Sequence, residues 1–161
     1  MKQLTLALIF FLTLVSLNAE ALTKEEFNKY VEVADSILGK SMQRMSMNGL
    51  ESATYMSAAS IDKVVEKIEP MILAKGLEDK TDSEIMKQGF DQGLEMFKQM
   101  NMKINDSKIY MNDAMDNFSI LSMSMSTDVG GTSANMDMIV VQYMNAKEMT
   151  PDLKNKLPVA E

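Results

Sequence analysis

The chain has 161 residues, a formal net charge of -7, and no cysteine, histidine or tryptophan. Without cysteine, neither a disulfide nor a lipid-modified cysteine can form. The acidic balance, with Arg44 the sole arginine, argues against nucleic acid or anionic lipid as the partner, because both reward clustered Lys and Arg.

The first segment reads as an address. Lys2 is a short positive region, Leu4 to Leu17 is an apolar run interrupted by Thr5, Thr13 and Ser16, and Ala19-Glu20-Ala21 has the small-x-small pattern of a cleavage site. The run falls short of the about 20 apolar residues that a bilayer span needs. Residues 1–21 are therefore expected to be a signal peptide, removed near Ala19 or Ala21 and leaving no membrane anchor in the mature chain. An exported chain without disulfides fits a bacterial periplasm, although secretion from a eukaryotic cell would make Asn105-Asp106-Ser107 and Asn117-Phe118-Ser119 glycosylation acceptors. What remains divides into one domain over 22–145 and a polar tail over 146–161.

Thr23-Lys24-Glu25-Glu26 is a capping box, with Leu22 and Phe27 placed as a hydrophobic staple. The helix it opens carries Phe27, Tyr30, Val31, Ala34, Ile37 and Leu38 on one face. Gly39 is a candidate stop. Beyond it, Met42 to Tyr55 fits two periods: Ser41, Met42, Gln43 and Met45 extend the helical stripe and favour helix, whereas Asn48-Gly49 would make Met42–Met47 and Leu50–Tyr55 a hairpin. Ser60 is placed to cap a second helix with Ile61, Val64, Val65, Ile68 and Ile72 buried, and Pro70 should kink or divide it. A second capping box, Thr81-Asp82-Ser83-Glu84, predicts a third helix with Met86, Phe90, Leu94, Phe97 and Met100 inward.

From Ile104 the pattern shortens to strands. Asn117 to Met144 reads as two alternating runs around Gly130-Gly131, a pair able to take the positive φ angles of a tight hairpin turn. Val129 should then oppose Thr132, placing Met125 across from Met136, Met123 across from Met138 and Leu121 across from Val140. Phe118, Ile120, Ile139, Val141 and Tyr143 fall on the other face. A lone hairpin is marginal in water, so Ser107–Asn112 is expected to add a third strand. The fold class implied is α+β: about three N-terminal helices packed on a small C-terminal antiparallel sheet containing the 117–144 hairpin.

Catalytic chemistry is poorly supplied. Ser60-Ile61-Asp62-Lys63 matches a serine-lysine pattern without its companion motifs, and a helix cap explains the serine. Asp113 and Asp116 lack a full oxygen-ligand set and fit a turn. The methionines, 18 in all, are the one constellation with specific chemistry, because thioethers suit Cu(I) or Ag(I) better than zinc or magnesium. Close spacings occur at Met42, Met45 and Met47, at Met96, Met100 and Met102, and in the hairpin quartet. In composition alone the chain resembles methionine-rich copper and silver proteins of the periplasm.

Two functions follow as expectations. The first is a non-enzymatic exported binding protein of inhibitor, immunity, chaperone or adaptor type, using Leu121, Met123, Met125, Met136 and Met138 to engage another protein or an apolar ligand. The second is a Cu(I) or Ag(I) binder using Met123, Met125, Met136 and Met138. A carboxylate-dependent enzyme is a further alternative.

Overall fold

The computed structural model describes residues 22–47, 49–84, 101–129, 132–145 and 147–148, with backbone alone at 127–129 and 132–134. The expected signal peptide, the glycine pair, the third-helix stripe from Met86 to Met100 and the 149–161 tail fall outside them. In chain order the elements are α1 (Lys24–Leu38), β1 (Gln43–Met47), β2 (Leu50–Met56), α2 (Asp62–Leu73), β3 (Glu78–Asp79), β4 (Met102–Met111), β5 (Asn117–Val129) and β6 (Thr132–Met144). The strands form one antiparallel sheet in the order β1-β2-β6-β5-β4-β3.

α1 forms where its cap places it. The Thr23 hydroxyl accepts from the Glu26 amide while the Glu26 carboxylate accepts from the Thr23 amide, closing the capping box. Gly39 ends the helix at φ 85°, in the left-handed region that suits glycine. α2 runs through Pro70 to Leu73 rather than dividing there. The Ser60 hydroxyl accepts from the Asp62 amide just ahead of it, a local turn rather than the expected helix cap, which is Ile61. The Thr81 hydroxyl, expected to cap a helix, donates to Asp79 and accepts from the Ile109 amide, tying β3 to β4.

The expectation of about three N-terminal helices on a small C-terminal sheet is overturned. The sheet has six strands and starts at Gln43, so Met42 to Tyr55 is hairpin and not helix. The reason is non-local. β6 has one edge against β5 and one edge free, and β2 fills the free edge from Leu50 opposite Met144 to Met56 opposite Met138. Pairing satisfies a row of backbone donors and acceptors that would otherwise be left open, which outweighs the short helical period of residues 41–45. The turn between β1 and β2 is pinned as well. Gly49 has φ 82°, its carbonyl accepts from the Asn145 amide at 2.7 Å, and an added Cβ would meet the Asn145 carbonyl oxygen at 2.8 Å.

The two described helices pack together, and α1 also packs on β2 and β6. The core between layers holds Phe27, Tyr30, Val31 and Ala34 from α1, Val64, Ile68 and Ile72 from α2, and Phe118, Ile120, Ile139, Val141 and Tyr143 from the sheet. Those five sheet residues are the set that alternation had put on one face. Tyr55 and Tyr110 close the core laterally by donating to Asp35 at 2.8 Å and Glu69 at 3.0 Å.

Candidate functional site

Because successive side chains on a strand alternate between faces, the helices' grip on Phe118 and Ile120 sends Leu121, Met123 and Met125 to the opposite face. The β5–β6 register is the one expected: Met125 opposes Met136, Met123 opposes Met138, and Leu121 opposes Val140. β4 continues the first pair outward, with Met102 beside Met125 and Ile104 beside Met123. β2 continues the second, with Met56 beside Met138. Two adjacent lateral rows result, Met102–Met125–Met136 and Ile104–Met123–Met138–Met56. Directly opposed Cβ atoms lie about 4.5–5.5 Å apart, so six thioethers from four strands share one patch.

The patch is graded in exposure. Met123 and Met138 are 6% and 8% exposed and form a second apolar cluster with Leu121 and Val140, while Met102, Ile104 and Met125 pack against it half-buried. Met136 is also half-buried, and Met56 at the margin is 48% exposed. Behind the tip, the opposite face is polar: Asn105 donates to Ser124, Ser124 to Asp137, and Ser126 to Asn135. The apolar character is thus confined to one side of the distal hairpin. A bulge between Ile104 and Asp106 makes this possible, since it shifts the parity of β4 so that both Met102 and Ile109 keep to the methionine side.

Further along the same face the lining turns polar. Ser119 opposes Gln142, which opposes Ser52, and Asn117 lies between Met111 and Met144. Asn117 Oδ1 and Ser119 Oγ are buried with no hydrogen-bond partner among the described residues. A buried hydroxyl without a partner carries a desolvation cost of about 1–3 kcal/mol. Ser119→Ala is therefore expected to raise the melting temperature, by about 2–5 °C. A lower melting temperature in a thermal scan would mean that the hydroxyl is satisfied in solution.

The other sequence candidates resolve into structure. Met45 and Met47 lie on the methionine side of β1, exposed at the sheet margin and separated from the rows by β2, while Met42 precedes the strand. Met96 and Met100 lie outside the described residues, and Met102 joins the patch instead. Asp116 is 1% exposed and exchanges hydrogen bonds with Asn112, its amide donating to Asn112 Oδ1 at 2.9 Å and its carboxylate accepting from Nδ2 at 3.1 Å. That turn, with Met115 at φ 65°, is the Asx-type arrangement expected there. Ser60 bonds Asp62. Burial first, then neighbouring carboxylates, push the Tyr55, Tyr110 and Tyr143 hydroxyls well above the ordinary tyrosine range. Among the described residues no three His, Cys, Asp or Glu side chains gather as a metal site.

Met56 escaped the sequence reading. Its signal was there, since Leu50–Met56 placed in the strand after Asn48-Gly49 carries its side chain to the Leu50 face. No family profile, curated protein or solved structure matches the chain.

Proposed function

We propose that the protein is exported and works without catalysis, as an inhibitor, immunity, chaperone or adaptor type of binding protein whose methionine patch receives an apolar surface of another protein or an apolar ligand. The observation that carries this reading is the pair of lateral rows, six thioethers on four strands with exposure rising towards Met56. Burying a methionine stabilises by about 1.5–3 kcal/mol, and fixing its flexible chain gives back up to about 1.5–2 kcal/mol. Leucine or valine would make a better core. Methionine is the better lining for a surface that must adapt to what it meets. The acidic charge and the confinement of polar groups to the opposite face of the tip both favour an apolar partner over a polyanion.

The test is capture from a periplasmic extract by the immobilised protein, compared with Met125→Asp and Met136→Asp. Loss of one specific bound species in both variants, with circular dichroism unchanged, supports the proposal; identical capture by all three proteins removes it.

The row Met102–Met125–Met136 favours a second reading, a Cu(I) or Ag(I) binder, because three soft donors stand side by side there. Competition with a Cu(I) chelator decides it. Uptake that disappears in Met125→Leu supports metal binding, and no uptake excludes it.

A further inference from the structure

β1 lies at one edge of the sheet and, among the described residues, pairs with β2 alone. All five of its residues are exposed. Of the large apolar side chains that stand exposed among the described residues, Met42, Met45 and Met47, at 61%, 39% and 54%, gather in or beside this one strand. A strand edge offers alternate N–H and C=O groups to any chain that can lie along it, and proteins guard such edges with lysine, proline, a bulge or extreme shortness. The opposite edge is guarded. β3 has two residues, and β4 beside it carries Lys103, Asp106, Lys108 and the bulge between Ile104 and Asp106. β1 has none of these devices: its register with β2 is unbroken, and its one charged residue, Arg44, is drawn back onto Asp35 at 2.7 Å.

We propose that β1 is a dimerisation edge, along which β1 of a second copy of this chain lies antiparallel about a two-fold axis at Met45. Such a contact is isologous, one strand meeting its own counterpart. Met45 then opposes Met45 of the second copy, Arg44 opposes its Ser46, and Gln43 opposes its Met47. Directly opposed side chains share a face, so the exposed thioether of Met45 is covered by its own counterpart. The helix side fits as well. Ser46 has Glu51 as its neighbour on β2, and Lys24 Nζ lies 3.0 Å from the serine hydroxyl and 4.0 Å from the carboxylate. Across the seam this sets the Arg44–Asp35 pair of one copy beside the Lys24–Glu51 pair of the other, two cations with two carboxylates, so the seam gathers no net charge. There is also room. α1 packs on β2 and β6, and three strand spacings from β2 to its counterpart hold the two α1 helices about 14 Å apart, beyond the about 8–10 Å at which helices touch. Two effects act against the pair: each chain carries a net charge of -7, so copies repel at long range, and a seam of five residues buries little area. The dimer is therefore weak, with a dissociation constant between about 1 μM and 1 mM. Assembly stops at two, because pairing uses β1 of both copies and leaves only the guarded edges outward. The seam stands whether or not the methionine patch binds anything.

Sedimentation equilibrium tests it. The purified protein, taken from about 10 μM to about 1 mM in about 0.15 M salt, should pass from monomer to dimer. Met45→Lys sets two like charges against each other at the axis and should weaken the dimer at least about tenfold. Its circular dichroism and melting should not change, because Met45 is exposed. Mixing Met45→Lys with Met45→Glu should restore a dimer, since under this register position 45 is the one that meets itself. A monomer throughout overturns the proposal and leaves the edge to a strand from a different protein or from this chain. A dimer that Met45→Lys leaves intact overturns it too, because the copies then join elsewhere. A loss in Met45→Lys that the mixture does not repair overturns the two-fold register.

Discussion

Met138→Asp is expected to destabilise the protein by about 3–5 kcal/mol, whereas Met136→Asp, two residues away on the same strand and face, should cost little stability and lose partner capture. The difference lies in what surrounds each sulfur. Met138 is 8% exposed, opposite Met123 on one side and Met56 on the other, within the cluster of Leu121 and Val140. No described cation lies in that cluster, so a carboxylate placed there would be desolvated without compensation. Met136 is half-buried nearer the tip, outside the cluster of Leu121, Met123, Met138 and Val140. An aspartate there can stay hydrated. Typical domains have only about 5–15 kcal/mol of net stability, so Met138→Asp should lose much of its cooperative thermal transition. If Met136→Asp unfolds to the same degree, the whole patch is core and the binding proposal fails.

Phe118→Ala should be comparably damaging for a different reason. Phe118 is fully buried at the base of β5, its ring 5.3 Å from that of Tyr30 edge-on and 6.2 Å from that of Phe27. It adds two ring contacts from β5 to the packing of α1 on β2 and β6. Truncation removes the ring's transfer free energy and leaves a cavity, together about 3–5 kcal/mol, and forfeits two aromatic pairs. Chemical denaturation should show a lower midpoint with little change in slope, and Phe118→Leu should recover much of the loss. A loss below about 1 kcal/mol would mean that α1 docks by other means. Because the parity of β5 is set here, a shift of this strand would also turn the methionines towards the helices. The base of the hairpin thus controls which face its tip presents.

The hairpin register was readable because it depends on neighbours in sequence. Val129 and Thr132 are separated by a two-glycine turn, and period-two alternation then assigns every pair from Leu121–Val140 to Met125–Met136. The Thr23 cap was readable for the same reason, since both of its hydrogen bonds close within four residues. Residues 41–56 were not. Ser41, Met42, Gln43 and Met45 favoured a helix, and the choice went to the hairpin through the free edge of β6, which lies about ninety positions away in the chain.

By itself, then, the amino-acid order determined the capped first helix, the late hairpin and the common side of Met123, Met125, Met136 and Met138, all of which follow from turn chemistry and periodicity over short spans. Only the tertiary structure decided that β2 takes the other edge of that hairpin, that the expected third strand reaches back to Met102, that Met56 and Met102 widen four thioethers to six, and that the Leu22 nitrogen lies against Tyr143. Those outcomes depend on which distant edges and faces find each other. Edge pairing is backbone chemistry common to nearly all residues, so side-chain identity along one segment carries little record of its partner.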